Sequence, residues 1–218
     1  MKRNVTMEEI SDGRFYEVND MVKAGCAGCG GCCQGMGQSI VLSPLDIFRI
    51  ISNLKVDFES LINDKIELNV VDGIILPNIK MDGVGEKCHF LDNENKCTIH
   101  GFRPDICRLF PLGRYYEDRS FKYFLQINEC QNAHPLKVKV KKWLDEPELK
   151  KYEDLVGQWH FFLTDVEEML NTKNNDSLRR QVSLYILQKF YLESYSFEDD
   201  FFSQFEKRFD EAKKQLLL

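Results

Sequence analysis

Four cysteines stand among glycines in the stretch GCAGCGGCCQG, which covers residues 25–35. Cys26, Cys29 and Cys32 form two consecutive C-x2-C steps, and Cys33 follows directly. Two cysteines at this spacing can point at one metal centre, and glycine permits the positive-φ turns needed to wrap that centre. The first three ligands of bacterial ferredoxin runs have the same spacing. The stretch therefore predicts a metal or iron-sulfur site.

The adjacent pair Cys32 and Cys33 needs a separate interpretation. Because neighbouring side chains generally diverge, we expect the two thiols not to be equivalent ligands of one ion. One of them would complete the first centre. The other would serve a second centre, donate a hydrogen bond, or react.

Four more cysteines follow at wider spacing: Cys88, Cys97, Cys107 and Cys130. No C-x2-C step occurs among them, so the fold must gather them from separate elements. Eight thiols could form two four-cysteine sites, or one cluster with a redox-active or structural remainder. The sequence leaves both arrangements open, and all eight cysteines are candidate metal ligands.

Two simpler explanations account for less of the pattern. Burial as a small hydrophobic residue could explain Cys130 alone. It does not explain the first four cysteines, whose glycine neighbours offer little apolar surface. A disulfide scaffold would require an oxidising compartment, and a chain of this size does not need such crosslinks.

Composition narrows the class of protein. The chain has 218 residues, 43% of them hydrophobic, and a formal net charge of -6, so it lacks the basic footprint of a nucleic-acid-binding protein. The basic run KVKVKK at 137–142 is interpreted as a solvated face. The polar N-terminus lacks the apolar region of a secretory signal, and no apolar run approaches about 18 residues. We therefore expect a cytoplasmic protein with no membrane partner.

Helix signals follow the cysteine-glycine loop. Ser43 is the expected N-cap, Pro44 suits the first helical position, and Asp46 favours the positive helix end. The apolar face expected for this helix consists of Leu45, Phe48, Ile51 and Leu54.

Turn signals then predict hairpins at Asp72-Gly73 and Asp82-Gly83. The stretch CHFLDNENKCTIH predicts a further hairpin whose turn covers residues 92–95. If Leu91 pairs with Lys96, then Phe90 faces Cys97, and Cys88 shares their face of the hairpin.

The remaining elements complete an α+β prediction. A short helix between Pro104 and Pro111 would present Cys107, and the strand-like RYYEDRSFKYFLQINEC would end at Cys130. Helices are expected over 137–143, 147–171, 177–195 and up to 216. The predicted fold is a cysteine-rich metal-binding domain with a small antiparallel sheet and short helices, at 1–135. A helical C-terminal region follows, at 136–218.

The ordered combination of CAGCGGCC, KCHFL, KCTIHGFRPDICRLFP and a late cysteine resembles the CxxCxxCC cysteine-cluster family, also called YkgJ-like. The match spans Cys26 to Cys130. The resemblance implies a zinc- or iron-chelating domain, commonly taken to hold an iron-sulfur cluster. Flagellin lysine N-methylases carry a similar domain, which makes that activity a candidate by analogy.

Other polar residues near the cysteines are weaker candidates. His89 and His100 flank cysteines and could be ligands, although each is more simply a structural residue of the hairpin. Arg103 and Arg108 could offset thiolate charge or bind carbonyl groups, and Arg103 could anchor the turn before Pro104.

The sequence leads to three function hypotheses. The first is an intracellular protein that holds an iron-sulfur cluster, with [4Fe-4S] expected, and has an electron-transfer or redox role. The second is a structural zinc-binding module that organises an interaction surface. The third is an enzyme related to protein lysine N-methylases. The C-terminal helices would contact a redox or protein partner.

Overall fold

The computed structural model describes residue 8 and residues 11–132 and 134–218, apart from the side chain of Asn63. Residues 1–7, 9 and 10 of the N-terminal stretch assessed for a targeting signal lie outside the described residues. Within them the chain is α+β and cysteine-rich, as the sequence predicts.

In the part of the chain that the structure describes, nine strands form four antiparallel assemblies. In chain order the strands are β1 (Ser11–Tyr16), β2 (Met21–Ala24), β3 (Ile66–Val71), β4 (Ile74–Ile79), β5 (Met81–Asp82), β6 (Lys87–Cys88), β7 (Leu112–Glu117), β8 (Ser120–Gln126) and β9 (Leu136–Lys139). The largest sheet has the order β1-β8-β7, and the others are the pairs β2-β9, β3-β4 and β5-β6.

Seven α-helices are found in the described residues. They are α1 (Pro44–Leu54), α2 (Phe58–Asp64), α3 (Asp105–Leu109), α4 (Val140–Leu144), α5 (Leu149–Lys173), α6 (Asp176–Leu187) and α7 (Phe201–Leu216). A π-helical turn at Gln188–Leu192 continues α6. Each described helix is too short or too polar to span a bilayer.

The start of α1 follows its local sequence signals. Ser43 accepts a hydrogen bond from the backbone nitrogen of Asp46 at 3.2 Å, and the Asp46 carboxylate accepts one from the Ser43 nitrogen at 2.8 Å. This capping box satisfies two backbone donors that a helix start leaves open. Leu45 is buried in the core as predicted, whereas Leu54 at the helix end is 38% exposed.

The two hairpins with Asp-Gly turns form as predicted. Val71 pairs with Ile74, and the residues between them both have positive φ, 49° at Asp72 and 83° at Gly73. Asp82 pairs with Lys87 across a longer loop. These hairpins hold the chain that leads into Cys88.

The register predicted for the next hairpin is wrong by one residue. Leu91 pairs with Cys97, not with Lys96, and only this isolated bridge forms. The reason lies in the turn, where Asp92 Oδ1 accepts hydrogen bonds from the nitrogens of Glu94 and Lys96. The backbone nitrogen of Lys96 is therefore bonded within the turn, and the strand pairing starts one residue later, at Cys97.

Two further predictions need correction. The single strand expected before Cys130 is two strands, β7 and β8, joined by a turn in which Asp118 and Arg119 have positive φ. Strand β8 ends at Gln126, so Cys130 lies in the coil beyond it. Residues 137–139 belong to strand β9, which pairs with β2, and only 140–144 are helical. All four lysines of the basic run are exposed.

The C-terminal helices pack on the cysteine-bearing region through a common hydrophobic core. Buried side chains from α1, β3 and β4 join those of α5, α6 and α7 in one cluster. Aromatic side chains of α7 lie in this core, since Phe201, Phe205 and Phe209 are at most 6% exposed. The division into domains at residue 135 stays a prediction.

Candidate metal centre

All eight cysteines line one cavity of about 80 Å³. Four chain segments bring them there: the glycine loop, the stretch that follows β5, helix α3, and the coil after β8. The predicted convergence of the distal cysteines on the glycine loop is therefore confirmed. The remaining walls are largely apolar, with Ile79, Phe90, Ile99 and Phe110 among them.

The glycine loop turns tightly around one side of the cavity. Residues Gly31–Cys33 form a 3-10 turn in which the Cys33 nitrogen donates to the Gly30 carbonyl at 3.1 Å. Gly30 has a φ of 70°, and a Cβ at this position would lie 2.5 Å from the carbonyl oxygen of Asn95. Only glycine combines this conformation with so close an approach. The loop is thus fitted against the turn that precedes Cys97.

The β6 segment supplies the second pair of thiols. Cys88 ends β6 and is buried, and its sulfur accepts a hydrogen bond from the Phe90 nitrogen at 3.4 Å. Cys97 follows the Asp92 turn and lies in the bridge with Leu91. Both thiols face the same cavity, although the register differs from the prediction.

Helix α3 presents Cys107 to the same cavity. Its first nitrogen, that of Asp105, donates to Asp46 Oδ1 at 2.7 Å, so the carboxylate that caps α1 also anchors α3. Asp105 in turn binds Arg114 through two hydrogen bonds of 2.6 and 2.9 Å, and Tyr152 contacts both. This buried network fixes the orientation of the helix that carries Cys107.

The coil after β8 brings in Cys130. The neighbouring Asn132 donates from its side chain to the Gly25 carbonyl at 3.1 Å. Gln131 packs so closely on Gly31 that a Cβ there would meet its side-chain oxygen at 2.7 Å. The late cysteine is therefore held against the glycine loop by its own neighbours.

The adjacent pair is asymmetric. The Cys33 thiol donates a hydrogen bond to the Cys32 sulfur. This hydrogen bond lowers the pKa of Cys32 to about 6. The same hydrogen bond raises the pKa of Cys33 well above the ordinary thiol range. The expectation that the two side chains diverge is wrong, since both line the cavity. They differ instead in which one is the thiolate at neutral pH.

Desolvation acts on the other inner thiols. Burial raises the pKa of Cys88, Cys97 and Cys107, and neighbouring cysteines raise it further. Cys107 lies deep in the protein, yet its residue is partly accessible because it faces the cavity. Without a cation, these thiols stay protonated at neutral pH. A bound metal would reverse this preference, since thiolates are the ligating form.

The two histidine candidates have different positions. His100 lines the cavity, and its Nε2 lies 3.4 Å from Cys26 Sγ. His89 is held elsewhere, with Nδ1 2.8 Å from the carbonyl oxygen of Asp64 and Nε2 2.8 Å from the carboxylate of Asp82. Both His89 nitrogens are engaged, so this residue is a structural part of the hairpin.

The two arginine candidates also differ in their positions relative to the thiols. Arg103 lines the cavity and donates to the carbonyls of His100 at 2.9 Å and Cys107 at 3.4 Å. It both anchors the turn and contributes positive charge, which lowers the pKa of Cys32 after the larger effect of Cys33. Arg108 pairs with Glu146 at 3.3 Å and donates to the Asp145 carbonyl, away from the thiols.

The hydrogen-bond network behind Cys107 could not be predicted from the sequence. From the sequence, Asp46 is expected only to favour the positive end of α1, and Arg114 and Tyr152 belong to no motif. Asp46 is buried at 2% exposure, and burial together with Asp105 raises its pKa to about 6. No local sequence signal identifies this second role of Asp46, because Asp105, whose nitrogen it binds, lies 59 residues away.

The thiols line a cavity and do not converge on a single point. Among the described residues, no three His, Cys, Asp or Glu side chains converge closely enough to hold a single ion. The volume of the cavity, about 80 Å³, is about five times the roughly 15 Å³ that one water molecule needs. An all-thiol donor set of this kind suits soft or borderline metals such as iron in sulfur clusters and zinc.

Comparison with known proteins places this site in a family. An uncharacterized protein of Methanocaldococcus jannaschii, MJ0661, is 29% identical over 147 residues, which are 66% of this chain and 73% of that protein. No solved structure matches the chain significantly. The profile of the CxxCxxCC family, described as a putative zinc- or iron-chelating domain, matches residues 25–135, about half of the chain. The chain therefore belongs to the CxxCxxCC family of metal-chelating domains.

Proposed function

We propose that this protein holds an iron-sulfur cluster, of the [4Fe-4S] type, in the eight-cysteine cavity and uses it in electron transfer. The observation that carries the proposal is the arrangement of the thiols: eight cysteines from four separate chain segments line one cavity. Such convergence is costly unless something binds the thiols, because apolar side chains would fill the space more stably.

The cavity favours a polynuclear group over a single ion. A lone tetrahedral zinc ion draws its four ligands to about 2.3 Å, which requires sulfurs already close to one point. The described donors do not converge in that way, and the cavity has room for several atoms. Cluster binding by thiolates from both the glycine loop and the distal segments is consistent with this geometry.

The surroundings suit a redox role. Cys26, Cys29 and Cys32 are exposed, which puts one side of the cavity at the protein surface and within reach of a redox partner. The inner walls are apolar, and the Arg103 guanidinium lies among the thiols. Burial, nearby charge and hydrogen bonds to sulfur are the features by which a protein sets a cluster's reduction potential. A redox partner could dock over the exposed thiols or on the C-terminal helices.

A redox titration of the anaerobically purified protein tests this role. We expect the visible absorption to bleach and recover reversibly at one potential, within the roughly -700 to +450 mV range of such clusters. His100→Gln should shift that potential while leaving the iron content unchanged, because His100 contacts Cys26 without being needed to hold the loop. A protein that binds iron but shows no reversible reduction would contradict electron transfer. Stoichiometric zinc without sulfide would favour the structural zinc module.

Metal analysis of the same anaerobic preparation also tests individual cysteines as ligands. We expect Cys26→Ala and Cys29→Ala each to lower the metal content and the thermal stability, since ligation contributes to folding free energy. Full metal content in either variant would remove that cysteine from the ligand set.

A further inference from the structure

The two-stranded sheet β2-β9 lies directly beside the glycine loop. Strand β2 ends one residue before Gly25, which leads into Cys26. A Cβ at Gly25 would lie 3.6 Å from the Cα of Pro135 and 3.7 Å from the nitrogen of Leu136, so the start of β9 packs against the loop. Three residues span at most about 11 Å, and the Cα atoms of Lys23 and Cys26 therefore lie within that distance. The sheet forms protein surface next to the exposed thiols.

The two faces of this sheet differ in character. One face packs on the smaller hydrophobic cluster through Val22, Ala24 and Val138. The exposed face, here called the lysine face, consists of Met21, Lys23, Lys137 and Lys139. Lys23 is the direct partner of Lys137 in the antiparallel register, and Met21 is the partner of Lys139. Directly opposite residues share a face, so the three ammonium groups project from one side of the sheet.

The pairing of Lys23 with Lys137 is unfavourable for the fold. Like charges directly opposite each other destabilise a sheet. None of the three lysines of the lysine face forms an ion pair with a residue that the structure describes. Carboxylates of a bound partner would relieve this repulsion.

The carboxylates nearest the lysine face do not neutralise it. Asp12 and Asp20 line a groove at its edge. Asp12 accepts hydrogen bonds from the Arg14 nitrogen at 3.2 Å and from the Tyr16 hydroxyl, and Asp20 accepts one from the Glu17 nitrogen at 2.9 Å. Three cationic side chains line the same groove, those of Arg14, Lys23 and Lys137. Positive charge is therefore in excess at this surface.

This local excess contrasts with the formal net charge of -6 of the whole chain. At an ionic strength of about 0.1 M, exposed charges more than about 10 Å apart are largely screened from each other. A molecule at the lysine face is therefore governed by the lysines near it, and the acidic remainder of the protein has a smaller effect. The surface selects an anionic partner.

Exposed apolar side chains indicate that this partner is a protein. Leu136, at the end of the sheet next to Gly25, is 76% exposed, and Met21 on the lysine face is 47% exposed. Protein interfaces combine apolar anchors of this kind with a polar rim, and methionine is enriched in them. A small inorganic anion would make no use of these apolar groups.

We propose that the lysine face is the docking surface for an acidic electron-transfer protein. The proposal rests on the redox role proposed above. Docking here brings the partner's redox centre to the exposed Cys26 and Cys29. One electron leaves the reduced centre of one protein and is gained by the oxidised centre of the other. Complementary charge accelerates such encounters and orients the two proteins without requiring tight binding.

Calorimetric titration of the full-length metal-loaded protein tests this docking with two redox proteins of opposite charge. The probes are a plant-type [2Fe-2S] ferredoxin, which is acidic, and a cytochrome c, which is basic. We expect the ferredoxin to bind one-to-one and more tightly than the cytochrome. Its affinity should fall about threefold or more between about 0.1 M and 0.5 M sodium chloride. Tighter binding of the cytochrome, an affinity independent of salt, or no binding of the ferredoxin would overturn the proposal.

Variants of the lysine face separate docking from folding. Lys137→Glu puts a carboxylate opposite Lys23, so it should weaken ferredoxin binding about tenfold and raise the midpoint of thermal unfolding. Lys139→Glu, opposite Met21, should weaken binding to a similar extent without that gain in stability. The control is Lys207→Glu, at an exposed position of α7, which should leave the affinity unchanged.

The variants also decide between the lysine face and the C-terminal helices. An equal loss of affinity in Lys207→Glu would mean that the ferredoxin binds the helices, and unchanged affinity in both variants of the lysine face would mean that it binds elsewhere. Either result would overturn the proposal. Failure of the redox role would appear in the metal content and the redox titration, and so separately from these affinities.

Discussion

Asp46 accepts a hydrogen bond from the backbone nitrogen of Asp105 at 2.7 Å, across 59 residues of sequence. The same carboxylate closes the capping box of α1 through Ser43. One buried side chain therefore joins the start of α1 to the start of α3, two residues before Cys107. The position of a distal thiol depends on a residue that is not itself a metal ligand candidate.

Replacement of this residue should affect both stability and metal binding. Asp46→Ala removes a cap and leaves the Asp105 nitrogen without its partner, so the free energy of unfolding should fall by about 2–4 kcal/mol. Urea unfolding and iron analysis measure the two effects. The control is Asp57→Ala, which removes the exposed cap of α2 at Ser60 and should preserve the iron content. Equal iron loss in both variants would show that capping alone is responsible.

Two glycines of the cysteine loop provide a matched comparison. Gly28 and Gly30 both have positive φ, but only Gly30 is against a neighbour, the Asn95 carbonyl. Gly28→Ala should cost about 1 kcal/mol from backbone strain. Gly30→Ala adds a clash of about 1–3 kcal/mol and should displace the loop from the segment that carries Cys97. Thermal unfolding and metal content measure this difference, and similar losses in the two variants would contradict the contact.

The asymmetric thiol pair predicts a reactivity order. In metal-free reduced protein, Cys32 should react with iodoacetamide with a midpoint near its pKa of about 6, ahead of Cys33. Cys33→Ala removes the hydrogen bond and should move the Cys32 midpoint towards the ordinary thiol value of about 8.5. Peptide mass spectrometry across a pH series follows each site. A Cys32 midpoint near 8.5 in the unsubstituted protein would contradict the assignment.

His160 predicts how stability depends on pH. Its ring stacks on Tyr116 at 3.5 Å, and burial lowers its pKa to about 4 from an ordinary 6.5. Between these values the imidazole is neutral in the folded protein but protonated after unfolding. Unfolding then takes up a proton, so stability falls as the pH decreases from 6.5 to 4.

His160→Phe keeps the ring stack and removes the proton site. Its free energy of unfolding should therefore fall less steeply over the same interval than that of the unsubstituted protein. His134→Phe, at an exposed position, should retain the original slope. Urea unfolding at several pH values makes the comparison, and parallel slopes for all three proteins would refute it.

The elements that could be predicted from the sequence are those with local causes. The capping box of α1, the Asp-Gly turn of β3-β4 and the Pro104 start of α3 each depend on a few neighbouring residues. Strand β9 was missed because its alternation of lysine and valine, typical of a strand, was interpreted as a charged helix face. The hairpin register was wrong because a side chain, that of Asp92, sets the turn.

The site could be predicted in composition but not in arrangement. The sequence makes all eight cysteines candidate ligands, the first four through their spacing, and the resemblance indicates a chelating domain. That they share one cavity depends on long-range contacts, such as Gly30 against Asn95 and Asn132 against Gly25.

The most direct test of the central claim is to measure iron, zinc and acid-labile sulfide in protein purified anaerobically, together with its visible spectrum. We expect brown protein with broad absorption near ~400 nm and about four iron and four sulfide per chain. Cluster reconstitution of metal-free protein should restore the same contents. Colourless protein that carries stoichiometric zinc and no sulfide, even after reconstitution, would contradict the account.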